Sequence, residues 1–155
     1  MRRYQQALFV IVIIVAVIVA IVFIQGNGNP KPANEDLSDI IKVYYPQPGT
    51  KISSSLKVTG AARGQWYFEA TFPVTVVNWD GLIIGEGYAT ARPAEDKDWM
   101  TTEFTPFEGT IKFEKPTIIE PGTYNERGAV IFQKSNPSDL PENDAAVEIP
   151  ILFEK

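Results

Sequence analysis

The chain has 155 residues, 14 Lys+Arg against 19 Asp+Glu, a formal net charge of −5, and neither histidine nor cysteine. Those two absences exclude Ser/His/Asp and Cys/His nucleophilic sites, His- or Cys-ligated zinc, thiol redox chemistry and disulfides. The length allows one domain plus accessories.

Residues 7–24 read "ALFVIVIIVAVIVAIVFI", without a charge. Eighteen residues at 1.5 Å rise give about 27 Å of helix, close to a hydrocarbon core. Backbone groups in lipid must be satisfied internally, so the stretch predicts a single transmembrane helix. The alternative, a cleaved signal peptide, has an apolar core of about 7–15 residues. Arg2 and Arg3 precede the stretch, whereas Glu35, Asp36 and Asp39 follow it closely. The positive-inside rule therefore puts the N-terminus in the cytoplasm and the rest outside, an expected localisation in the cell membrane. Without the two arginines the remainder carries 12 basic and 19 acidic residues, net −7. An acidic surface argues against nucleic acid as a partner. The expected organisation is a cytoplasmic stub and anchor over 1–25, a flexible linker rich in Gly, Pro and Asn over 26–39, and one β domain over 40–155.

From Ile40 the pattern becomes that of strands. "IIKVYY" (40–45) is the first, closed by "PQPG" (46–49), and "LKVTGAA" (56–62) is the second. Trp66, Phe68, Ala70, Phe72, Val74 and Val76 then occupy alternate positions, the period-two signature of a half-buried strand. Pro73 has no N–H, so this strand is expected to be an edge there or to carry a bulge. "NWDG" (78–81) reads as a type I turn followed by a left-handed Gly81 in a G1 bulge. "LIIGEGYATA" (82–91) returns, and "RPAEDKD" (92–98) is a polar loop. "WMTTEFTPFEGTIKFE" (99–114) has Met100, Thr102 and Phe104 on one parity and Phe107, Ile111 and Phe113 on the other. A break or bulge is therefore expected near Pro106. "PG" (121–122) turns into "TYNERGAVIFQK" (123–134). The loop "SNPSDLPENDA" (135–145) leads to "AVEIPILF" (146–153), with Val147, Ile149, Ile151 and Phe153 facing in, and Pro150 marking that strand as an edge or placing its missing N–H outward. About seven strands without a soluble helix predict an all-β fold, an immunoglobulin-like β-sandwich, with a β-barrel second.

The stretches "VYYPQPGTKISSSLKVTGAA", "WYFEATFPVTV", "DGLIIGEGYATA", "WMTTEFTPFEGTIKF" and "NPSDLPENDAAVEIPILF" follow one another through 40–153. Together they resemble the immunoglobulin-like domain that accompanies the GerM domain in bacterial spore-germination proteins. The resemblance implies a bacterial, extracytoplasmic, non-catalytic β-sandwich and carries over no catalytic residues.

Candidate contacts come from residues that the alternation does not use. Trp66 is in phase with Phe68 and Phe72 and belongs to the core. Trp99 is expected to plug the core beside a charged loop. Trp79 lies in a turn, where it either lids the sandwich end or contacts a partner, with Asp80 beside it. Tyr67 and Glu69 lie on the opposite parity to Trp66 and complete the candidate contact set. A catalytic Glu69 would need a second carboxylate nearby, and nothing in the sequence supplies one. No catalytic, cofactor or metal residues are assigned, and no cofactor is expected. The leading expectation is a membrane-anchored, extracytoplasmic binding or scaffold domain that contacts an envelope protein or cell-wall glycan. The alternative is a calcium or small-ligand sensor using the acidic loops "EDKD" (95–98) and "PENDA" (141–145).

Overall fold

The computed structural model describes residues 36–118 and 122–154. The expected transmembrane anchor, the cytoplasmic stub and most of the linker lie outside the described residues. Among the described residues no helix is long and apolar enough to cross a membrane. The folded unit begins at Asp36, and Leu37 already packs against the core.

Eight strands are present among the described residues: β1 Ile41–Tyr45, β2 Lys51–Ile52, β3 Leu56–Arg63, β4 Thr71–Asn78, β5 Ile83–Ala91, β6 Phe104–Ile111, β7 Arg127–Gln133 and β8 Ala146–Phe153. Their hydrogen-bonded order is β1-β3-β6-β5-β4-β7-β8-β2. The order folds back on itself, as ring contacts between strands that are not neighbours show. Phe107 of β6 lies 4.9 Å from Phe72 of β4 and 6.1 Å from Phe132 of β7. Phe113, just after β6, lies 5.6 Å from Phe153 of β8. One layer is therefore β1-β3-β6 and the other β4-β7-β8-β2, with apolar side chains of both inner faces interleaved between them.

β5 joins the layers. It runs along β4 from Thr71↔Thr90 to Val77↔Ile83, and at its other edge it pairs with β6 only over Ala89–Ala91. Lower down, Gly85 bridges to Phe113. A Cβ on Gly85 would lie 2.4 Å from the Phe113 Cβ, so only glycine permits that approach. β2 is the strand that alternation does not reveal. It is two residues long and pairs in parallel with Leu152–Phe153 of β8, while β1 pairs with β3. The first strand is thus shared between the layers, and the "PQPGT" stretch carries the chain from one to the other.

Several expectations are corrected. The stretch from Trp66 is not one strand. Gly64–Trp66 is a 3-10 turn, and Phe68 and Thr71 exchange backbone hydrogen bonds of 2.9 and 3.0 Å across Glu69 and Ala70. Both central residues have positive φ, +49° and +62°, the signature of a two-residue type I′ turn. Phe68 is consequently exposed and Tyr67 buried, the reverse of their expected parity. No break occurs at Pro106: β6 pairs with β3 in unbroken register from Arg63↔Phe104 to Leu56↔Ile111. Thr105, Phe107, Ile111 and Phe113 keep one phase into the core, and the residues of opposite parity, Met100 and Thr102, belong to the preceding loop. Pro106 is tolerated because its carbonyl faces the side where β5 has already ended. The missing N–H therefore falls beyond that ladder.

The other prolines behave as their chemistry requires. Pro73 pairs with Tyr88 of β5, but the pairing of β4 with β7 starts only at Val74, so the strand is an edge there. On β8, Leu152 and Glu154 donate outward to Thr50 and Ile52. By period-two alternation Pro150 places its missing N–H on that same outer edge.

Chain entry is fastened by Arg63. Its Nε donates to the Asp39 carbonyl at 2.5 Å and Nη1 donates to the Thr102 carbonyl. The guanidinium and the Lys42 ammonium each lie 4.5 Å from the centre of the Phe104 ring.

Candidate functional site

The β4–β5 connection is built as its sequence demands. The Asn78 carbonyl accepts from Gly81 N–H at 3.0 Å, closing a type I turn, and Asn78 N–H donates to the Leu82 carbonyl at 3.0 Å. The Asn78 side-chain oxygen accepts from the N–H groups of Asp80 at 3.0 Å and Leu82 at 2.9 Å. Gly81 has φ +76°, the left-handed position of the G1 bulge. Every one of these bonds is made by Asn78, Gly81 or backbone, and none requires an indole at position 79.

Trp79 nevertheless projects there, 49 % exposed, and packs on Tyr124, 62 % exposed, with ring centres 4.7 Å apart and planes at 73°. Tyr124 opens a 3-10 turn, Tyr124–Glu126, whose middle residue Asn125 is buried. Asn125 accepts from the Thr123 hydroxyl and reaches the Thr117 carbonyl with Nδ2 at 3.5 Å. The two rings thus sit on two independently anchored turns. Leu82 and Ile83 beside them are also exposed. Among the described residues, the Asp80 carboxylate and the Tyr124 hydroxyl engage no protein partner.

The four candidate contacts are not brought together. Trp79 and Asp80 share the tip. Glu69 lies in the type I′ turn at the opposite end of the eight-residue strand β4, whose length is roughly 25 Å. Tyr67 is 5 % exposed and donates its hydroxyl to the Thr105 carbonyl at 2.9 Å. Burial pushes that phenol well above its ordinary range, partly opposed by the backbone near Ala62. Tyr67 therefore belongs to the core wall, with Trp99 packed on it at 6.3 Å. Tyr124 is the member that sequence reading missed. It is a large aromatic inside a turn and outside the alternation, the same signal that singled out Trp79.

In each acidic loop one carboxylate accepts a hydrogen bond from the loop itself. Asp98 accepts from Met100 N–H at 3.2 Å, and Asp144 accepts from Asn136 Nδ2 at 2.7 Å. Among the described residues no three acidic side chains form a group that could hold a metal ion, so the calcium alternative finds no ligand set in these loops. A cavity of about 660 Å³ opens at the chain-entry end, lined by the 92–98 loop together with Thr101 and Glu103–Pro106.

An all-β domain of two layers closed over an aromatic core defines a protein of the immunoglobulin-like class. Residues 40–125 match the family described as the immunoglobulin-like domain of bacterial spore germination, and the chain belongs to that family. No curated protein and no solved structure matches it.

Proposed function

We propose that this protein is a membrane-anchored, extracytoplasmic, non-catalytic binding domain that presents the Trp79 end of its sandwich to a partner in the cell envelope, a protein or cell-wall glycan. The observation that carries this reading is the Trp79–Tyr124 pair, held exposed on turns whose own hydrogen bonds need neither ring. Large apolar rings on a loop tip contribute little to folding and much to a contact. The apolar stretch 7–24 and the arginines before it support the anchor and its direction.

The strand edges are poor docking rails. On β1, Gln47 donates through Nε2 to the carbonyls of Val43 at 2.7 Å and Tyr44 at 3.0 Å, covering that edge. On β8, Pro150 offers no donor and its carbonyl already accepts from Gly49. Such blunting prevents strand addition, which favours a loop tip over β-augmentation.

The test uses the full chain in bacterial cells. It is expected in the membrane fraction, with its β domain cleaved by protease added to cells stripped of their wall. It is also expected to be retained on envelope material in a manner lost with Trp79→Ala. Recovery in the cytosol, or retention unchanged by Trp79→Ala, would sink the reading.

A further inference from the structure

Resting on that reading, we infer that the Trp79–Tyr124 tip binds a saccharide chain, with pyranose rings stacked on the aromatic faces. Size argues first. A Trp or Tyr buries about 150–250 Å² when wholly covered, so two half-exposed rings offer on the order of 200 Å², and the exposed Leu82 and Ile83 beside them add no more than a similar apolar area. A stable protein interface needs about 800 Å² from each partner. The tip is a four-residue turn beside a three-residue 3-10 turn, a footprint suited to one or two sugar units.

Chemistry argues next. The face of an aromatic ring is electron-rich, and the axial C–H groups of a β-pyranose form a weakly positive apolar face that complements it. Around the rings stand groups that suit hydroxyls: the Asp80 carboxylate as acceptor and the Tyr124 hydroxyl as donor or acceptor, neither engaged by protein among the described residues. The chain is acidic overall, and Asp80 adds negative charge at the tip itself. A neutral saccharide incurs no charge repulsion there, whereas an acidic partner would.

The Asn78 side chain pins the turn through two backbone N–H groups, and buried Asn125 pins the other. The two turns that carry the rings are therefore set before the ligand arrives, which lowers the ordering cost of binding. Arg63 fixes chain entry to the far end of the strands, at Asp39. The tip is therefore clear of the tether's point of attachment.

The probe is chitohexaose, a neutral β-1,4-linked N-acetylhexosamine oligomer, titrated by calorimetry into the full chain in mild detergent, with solubilised wall glycan as a second probe. Saturable binding is expected, weakened at least about 10-fold by Trp79→Ala, the loss typical of an aromatic hot spot. Trp79→Phe should recover part of it. Tyr124→Ala, on a separate turn, gives an independent loss should the first variant fold poorly, and melting curves distinguish lost binding from lost fold. Absence of saturable binding to both probes, or equal affinity in wild type, Trp79→Ala and Tyr124→Ala, overturns the inference. Capture of an envelope protein through Trp79 without any saccharide binding also overturns it, yet leaves the binding-domain reading intact.

Discussion

Two groups of aromatic rings occupy this domain. Inside, Phe72 touches four others: Trp66 at 6.3 Å, Tyr67 at 5.5 Å, Phe107 at 4.9 Å and Phe132 at 6.5 Å. Trp66, Phe72 and Phe132 are wholly buried. At the β4–β5 turn Trp79 and Tyr124 make one contact of much the same edge-to-face geometry and stay about half exposed. Ring contact alone therefore does not say what an aromatic is for. The inner rings join two layers, and removing one leaves a cavity. The outer pair joins two turns that already satisfy their own backbone, and removing one leaves solvent.

The sharpest way to break that contrast is Phe72→Ala. It should cost about 3–5 kcal/mol, since a ring shared by four neighbours cannot be refilled by local collapse. The check is the urea midpoint, with the slope unchanged if the unfolding transition stays two-state. A cost below about 1 kcal/mol would mean that the layers do not depend on this ring.

The turn facing the core cluster offers the next effect, with the opposite sign. Glu69 and Ala70 adopt left-handed φ, which costs residues with a Cβ roughly 1–2 kcal/mol each. The double change Glu69→Asn, Ala70→Gly supplies the pair that a type I′ turn favours. It should raise stability by about 1 kcal/mol after the entropy of the added glycine is deducted. A melting curve that moves down would show that Glu69 or Ala70 makes a contact worth more than the strain.

Trp79→Ala should cost the fold about 0.5–1.5 kcal/mol, the worth of one aromatic pair. That is several-fold less than Phe72→Ala, while abolishing retention on the envelope. If it destabilises as much as the core change, Trp79 is a lid on the sandwich and the contrast between the two groups fails.

How far these roles could be read from sequence depends on what alternation can carry. β8 is legible from Ala146 to Phe153 because its side chains alternate without interruption and one edge bears proline. β2 is not legible, since two residues in parallel pairing leave no period to detect. Tyr67 and Phe68 exchange places because the chain reverses at Glu69–Ala70 through a turn lacking its usual Asn-Gly pair. A phase counted straight through from Trp66 therefore flips. Met100, Thr102 and Phe104 imitate a strand in counterphase, yet they belong to a loop and its junction with β6. At the tip, Asn78, Asp80 and Gly81 announce their turn locally. The meeting of Trp79 with Tyr124, 45 positions later in the numbering, depends on β4 pairing with β7, a long-range fact that no local pattern encodes.

The smallest effect separates both ring groups from the charged outer face. Glu108 on β6 accepts from Arg92 Nε at 2.8 Å and lies 3.7 Å from Lys57 Nζ. The hydrogen bond from Arg92 and its charge, helped by Lys57, hold the Glu108 carboxyl below its ordinary value. A carboxylate whose pKa is lower folded than unfolded binds fewer protons in the native state. Its contribution is thus present above the unfolded value and fades as pH falls through the folded one. The group is solvent-exposed, so screening keeps that contribution small. Glu108→Gln should lower the melting temperature slightly at neutral pH, and the difference from wild type should vanish both at acid pH and in about 1 M salt, where the Debye length shrinks to about 3 Å. Phe72→Ala and Trp79→Ala should keep their deficits in high salt, because neither depends on charge. A Glu108→Gln deficit that survives salt would place this residue with the packed interior and not with the screened surface.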